Sequence, residues 1–177
     1  MADDVVAINR APVLTLWAAV VAARQGHDWD AALTVGKVVA GLNAQAKGRA
    51  LGIFQPREAG SADAPGVASR RQDLWVHVCG RPVPAVRTGA GLRAVVGDQA
   101  VDPGAVLRYL ERAFGERLAA VRQAMEELAA SFLPDEIEAE SYGLYERFRP
   151  RIAPDKLGWG QKGTLDLARI RALAKKA

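Results

Sequence analysis

Between residues 10 and 48 the apolar positions recur at a helical period in two runs. In the first, Val13, Leu16, Trp17, Val20 and Val21 make a broad apolar face, with Asn9 as a cap, Pro12 in the first turn and Gly26 as the stop. The second opens at a cap from Asp28 or Asp30, carries Leu33, Val35, Val38, Val39 and Leu42, and stops at Gly48. Together they predict a helical hairpin. Gly36 and Gly41 each cost up to about 1 kcal/mol against alanine inside a helix. Both therefore predict close packing of another helix against an interior second segment.

The period then disappears. Residues 55–71 are rich in Pro, Gly, Ala and Ser and predict a mobile loop or linker. From Leu74 the pattern alternates, placing Trp75, His77 and Cys79 on one face of a strand and Val76 and Val78 on the other. Val83 to Thr88 is held extended by its prolines, and Gly97-Asp98 between Leu92–Val96 and Gln99–Val101 suits a tight hairpin turn. A small antiparallel sheet follows from these signals.

The clearest period comes next. Asp102 caps, Pro103 takes the first helical position, and Leu107, Leu110, Phe114, Leu118, Val121, Met125, Leu128 and Phe132 recur at three and four. The pattern predicts one long helix from Pro103 to about Phe132, with Gly115 as the place where it would bend or split. A further helix starts at Pro134, with Asp135 and Glu136 against the positive end of its dipole, and runs to about Phe148. A last one, begun by Thr164 or Asp166, turns Leu167, Ile170 and Leu173 inward. The fold class expected is mainly α (α+β): an N-terminal helical hairpin, a small antiparallel β-hairpin, and a long helix plus two C-terminal helices. All of it is expected to pack as a single domain spanning residues 1–177.

Composition narrows the function classes. At 177 residues, half of them apolar and a quarter charged, the chain is long enough to bury a core without disulfides. Met1-Ala-Asp-Asp4 is acidic where a secretory leader is basic, and the apolar stretch from Ala11 is closed by Arg24 before it could span a bilayer. A soluble, cytoplasmic protein without membrane partners is the expectation. The lone Cys79 fits a reducing compartment, and with only His27 and His77 it cannot build the usual Cys/His zinc site. The Ala-, Arg- and Val-rich usage suggests a bacterial source.

The net charge of +4 is unevenly spread. Lys47, Arg49, Arg57, Arg70, Arg71, Arg81, Arg87 and Arg93 face only Glu58, Asp63 and Asp73 in their segment, whereas acids dominate from Asp98 to Glu146. Solvation or mutual pairing of the two parts is the plain reading, and a phosphate-binding surface the sharper one.

The segments Leu144-Tyr-Glu-Arg-Phe-Arg-Pro150, Gly158-Trp-Gly-Gln-Lys-Gly163 and Leu165-Asp-Leu-Ala-Arg-Ile-Arg171 resemble the C-terminal signature of an uncharacterised bacterial protein family, and the likeness extends to residues 11–53. The resemblance implies a bacterial origin and supplies no catalytic residue.

Candidate chemistry is sparse. Gly89-Ala-Gly91-Leu-Arg-Ala94 has the spacing of a dinucleotide-binding turn, but Gly97-Asp98 and Pro103 interrupt the helix that should open after it, so a hairpin turn explains it better. His77 and Cys79, two apart on a strand, would share a face as a thiolate and its base must, against the plainer reading that both fill core. Glu126, Glu127, Asp135, Glu136, Glu138 and Glu140 read as solvated helix faces, there being no Glu-x-x-His pair to suggest a metal. The N-terminal hairpin has the outline of a helix-turn-helix whose end, Lys47 and Arg49, would reach phosphates. Trp159, between two glycines and beside Lys162, reads as a core anchor or as an exposed stacking platform. No catalytic, cofactor or metal site is assigned. The functional expectation is a non-enzymatic interaction or regulatory protein, acting as a homo-oligomer, a dimer if the apolar stripe of the long helix exceeds what the rest of the chain can cover. Nucleic-acid binding through residues 47–93 is the alternative, with Lys47, Arg49, Arg70, Arg71, Trp159 and Lys162 as candidate contacts. A small enzyme with a site that sequence does not reveal is the third reading.

Overall fold

Arg10–Arg24 forms α1 and Trp29–Ala50 forms α2, in a computed structural model that describes residues 5–50, 74–96, 99–151 and 163–174. Every residue of α1 from Pro12 to Ala22 is buried, so this helix is the centre of the core and not an amphipathic cover for it. Gly26, at φ +111, turns the chain, and Asp28 caps α2 by accepting from the Ala31 amide at 3.1 Å. The two helices meet closely at Gly36, where a Cβ would lie 2.2 Å from the Thr15 carbonyl oxygen. Gly41 differs from expectation: it is exposed, and a Cβ there would meet nothing within 4 Å, so only the first glycine marks the helix contact.

Four antiparallel strands, β2 (Leu74–Val78), β3 (Arg81–Thr88), β4 (Gly91–Val96) and β5 (Gln99–Ala100), form a sheet in sequence order, with Val76 opposite Val83 and Ala85 opposite Ala94. Val76, Val78, Val83, Ala85, Ala94 and Val95 are its buried apolar positions, and the sheet packs against α2. The buried Thr34 hydroxyl fastens the two layers, accepting from the Ala94 amide at 2.9 Å and donating to the Ala31 carbonyl at 2.7 Å. β1 (Val5–Ile8) pairs antiparallel with β6 (Gly163–Asp166), a ribbon the sequence pattern did not indicate.

The long apolar stripe is two helices. α3 (Pro103–Phe114), capped by Asp102, ends at Gly115 with φ +56; a 3₁₀ turn, Gly115–Arg117, leads into α4 (Leu118–Ala130). Of the stripe, Leu110, Phe114, Val121, Met125, Leu128 and Phe132 are buried within this one chain, Leu118 is partly buried and Leu107 is exposed. Most of the stripe is therefore covered without a second copy. α5 (Pro134–Phe148) packs on α1, and α6 (Leu167–Ala172), capped by Asp166, packs on α4. Thr164 belongs to β6 instead of starting that helix. The fold is α+β and mainly helical. Among the described residues no helix is long and apolar enough to cross a membrane.

Candidate functional site

Where α5 runs past the start of α1, side chains from four elements converge. Tyr142 and Tyr145, three apart on α5, share a face, with ring centroids 5.8 Å apart. The Tyr142 hydroxyl donates to Asn43 Oδ1 of α2 at 3.1 Å, and Arg81, the first residue of β3, donates to the same oxygen at 3.3 Å. Arg10, the first residue of α1, donates from Nε to the Pro150 carbonyl at 3.0 Å, which sets its guanidinium beside Arg149. Burial pulls the Arg10 pKa below its usual value, and the Arg149 charge pulls it further; the Tyr145 and Tyr142 phenols act the other way. Burial raises the Tyr145 pKa, opposed by Arg149 and Arg10.

The electrostatic balance of this cluster is one-sided. The ion pairs among the described residues are Arg108 with Asp102 and Arg122 with Glu126, both elsewhere. Arg10 and Arg149 thus bring two positive charges together beside two phenols, Arg81 reaches the oxygen of Asn43 that Tyr142 also bonds, and no carboxylate of the described residues pairs with any of the three. Guanidiniums in this arrangement present forked donors that match an oxyanion. Compared with protein-family models, curated proteins and solved structures, the chain matches none of them.

Of the three cations and two phenols of the site, only Tyr145 was marked by periodicity, as part of the buried side of the helix from Pro134. Arg149 stands inside the segment that carries the family resemblance, and Arg81 inside the basic run, but Arg10, Asn43 and Tyr142 read as ordinary helix positions. The other signal present was a change of charge along α5, where the acids from Asp135 to Glu140 give way to Arg147, Arg149 and Arg151.

Arg70, Arg71, Trp159 and Lys162, and the linker at 55–71, lie outside the described residues; Lys47 and Arg49 stand on the last turns of α2, with their side chains outside them too. Arg93, 7% exposed, donates to the Leu92 and Ala90 carbonyls and holds the hairpin between β3 and β4, leaving Arg81 and Arg87 as the described outward cations of the run. The helix-turn-helix outline has its reading end inside the core, since Ala31 to Gly36 are buried. Gly89-Ala90 forms the β3–β4 turn, stitched by the Thr88 hydroxyl, as the hairpin reading expects. The acidic residues lie on exposed faces, apart from the partly buried Glu136, whose carboxylate caps α5 through the Leu133 amide at 2.9 Å.

His77 and Cys79 do not share a face. The alternation stops at Val78, and Cys79 sits in the turn with φ +52, buried against Ser141, while His77 points outward. Burial raises the Cys79 thiol to about 12 from its ordinary 9.0. The thiol therefore stays neutral in the fold when the unfolded chain begins to ionise, so stability is expected to fall as pH rises from about 9 toward 12. At pH 8 the native protein should resist maleimide and the urea-unfolded chain should react within minutes; equal rates would show that Cys79 is accessible. Both histidines line one shallow groove with Trp75, Asp135 and Glu138, and burial lowers the His27 pKa. No group of three or more metal-ligating side chains comes together among the described residues.

Proposed function

We propose that this chain is a binding protein of the regulatory kind, whose ligand carries an oxyanion held by Arg10, Arg149 and Arg81 beside Tyr142 and Tyr145. The observation that carries this reading is a partly buried pair of guanidiniums, Arg10 and Arg149, with Arg81 joined to the Tyr142 phenol through Asn43 and no paired carboxylate among the described residues. Like charges brought together out of water cost stability, and an anion bound through charge-assisted hydrogen bonds reverses the sign of that contribution. Sites built for ligands commonly carry such a local cost when empty.

The test separates a ligand site from a structural one. At constant ionic strength, phosphate or citrate replacing chloride should raise the melting temperature, by about 5–10 °C at a hundred times the dissociation constant. Arg149→Gln should melt at or above the parent in chloride and lose the anion-dependent rise. An Arg149→Gln protein that melts several degrees lower, with a parent indifferent to anions, would make the cluster purely structural. Nucleic acid remains the alternative source of phosphate, supported here by Arg81 and the exposed Arg87; it predicts duplex binding that falls steeply with salt and that Arg87→Gln weakens.

A further inference from the structure

Beside the middle of α1, at Leu16, the break in the apolar stripe has a spatial consequence. Because Gly115 adopts φ +56, α4 departs from the line of α3, and a groove of about 400 Å³ opens at the bend. Leu16 of α1 and Leu110 of α3 lie beneath it, closed off from solvent by the side chains above them. Trp29, Leu107 and Leu118 form its walls. A volume of this size, apolar within and polar at the mouth, is in the range of small-ligand sites.

The charge at the mouth selects the ligand. Arg122 lies over the Trp29 ring at 3.8 Å and pairs with Glu126 at 3.1 Å, so its charge is already answered. Glu111 and Glu116 also line the groove, and neither makes an ion pair or hydrogen bond with another described residue. We infer that this groove is a second binding site, taking a small molecule with an apolar, ring-sized body and one cationic group, the body against Trp29, Leu107 and Leu118 and the cation between Glu111 and Glu116. An anionic ligand of the same shape would meet two carboxylates, and a neutral one would leave them unanswered. The site is separate from the arginine cluster and of opposite sign, so it stands whether or not that cluster binds an anion.

Three probes of one shape test it: 4-phenylbutylamine, 4-phenylbutanol and 4-phenylbutyrate, titrated while the Trp29 indole NH is followed by NMR and assigned with Trp29→Phe. The amine is expected to shift that signal with a dissociation constant of about 1 mM, as its size allows. It should bind about fivefold tighter than the alcohol, with the butyrate weakest, because exposed charge pairs contribute modestly. Glu111→Gln with Glu116→Gln should bring the three probes to equal affinity, and Ala119→Trp, on the groove wall, should abolish all three while the circular dichroism stays unchanged. The inference is overturned if no probe moves the Trp29 signal at about 10 mM, if the order of the probes survives the double substitution, or if the folded Ala119→Trp protein binds like the parent.

Discussion

Gly36→Ala is expected to destabilise the protein by about 3 kcal/mol or more, at the upper end of what overpacking costs. The added carbon would stand 2.2 Å from the Thr15 carbonyl oxygen and 3.0 Å from the Ala19 nitrogen. Both atoms are backbone of α1, so no rotamer change relieves the clash, and the helices must separate. Separation would also strain the Thr34 clamp two residues away, which ties α2 to β4. Gly41→Ala, on the same helix but facing open space, should instead stabilise by about 0.5–1 kcal/mol, because alanine loses less backbone freedom on folding. Urea unfolding of the two variants gives opposite displacements of the midpoint; a Gly36→Ala protein as stable as the parent would refute the close approach of α1 and α2.

Trp17→Ala is expected to cost about 4 kcal/mol, lowering the melting temperature by roughly 10 °C. Trp17 is wholly buried, packs edge-on to Phe148 at 5.3 Å, and donates from its indole NH to the Ser141 carbonyl at 2.9 Å. Trp17→Phe keeps most of the apolar surface but leaves that carbonyl without its donor, so about half the loss should remain. The contact has a functional side as well. Ser141 precedes Tyr142 on α5, and Phe148 precedes Arg149, so the indole holds the helix that presents the arginine cluster. Trp17→Phe should therefore also weaken the anion-dependent rise in melting temperature, whereas Gly41→Ala should not.

How much of this was legible in the chain depended on how far apart the interacting residues stand. Asp102-Pro103 read as a helix start and is one, because a cap and its amide lie within three residues. Gly115 read as a break and is one, because a positive φ is a local property of a residue without a Cβ. The strand alternation was carried one residue too far, to Cys79, because periodicity does not show where a strand yields to its turn. Gly36 and Gly41 looked alike in the sequence, and only the position of α1 made one a contact and left the other in solvent.

The arginine cluster was not legible for a stronger form of the same reason. Arg10, Asn43, Arg81, Tyr142 and Arg149 are spread over most of the chain, and each is unremarkable among its neighbours. The β1–β6 ribbon is similar, four residues pairing with four others more than 150 positions away, too short for a pattern to announce. The amino-acid order by itself determined most of the helices, the Asp102 cap, the hairpins and the mainly helical class, since these follow from interactions within one or two turns of the backbone, whereas Asn9 makes no side-chain cap bond. Which helix faces touch, where the stripe of α3 and α4 is covered, and which charges come together without a counter-charge were decided only by the tertiary structure, because burial and electrostatic balance depend on distances between segments that no local pattern encodes.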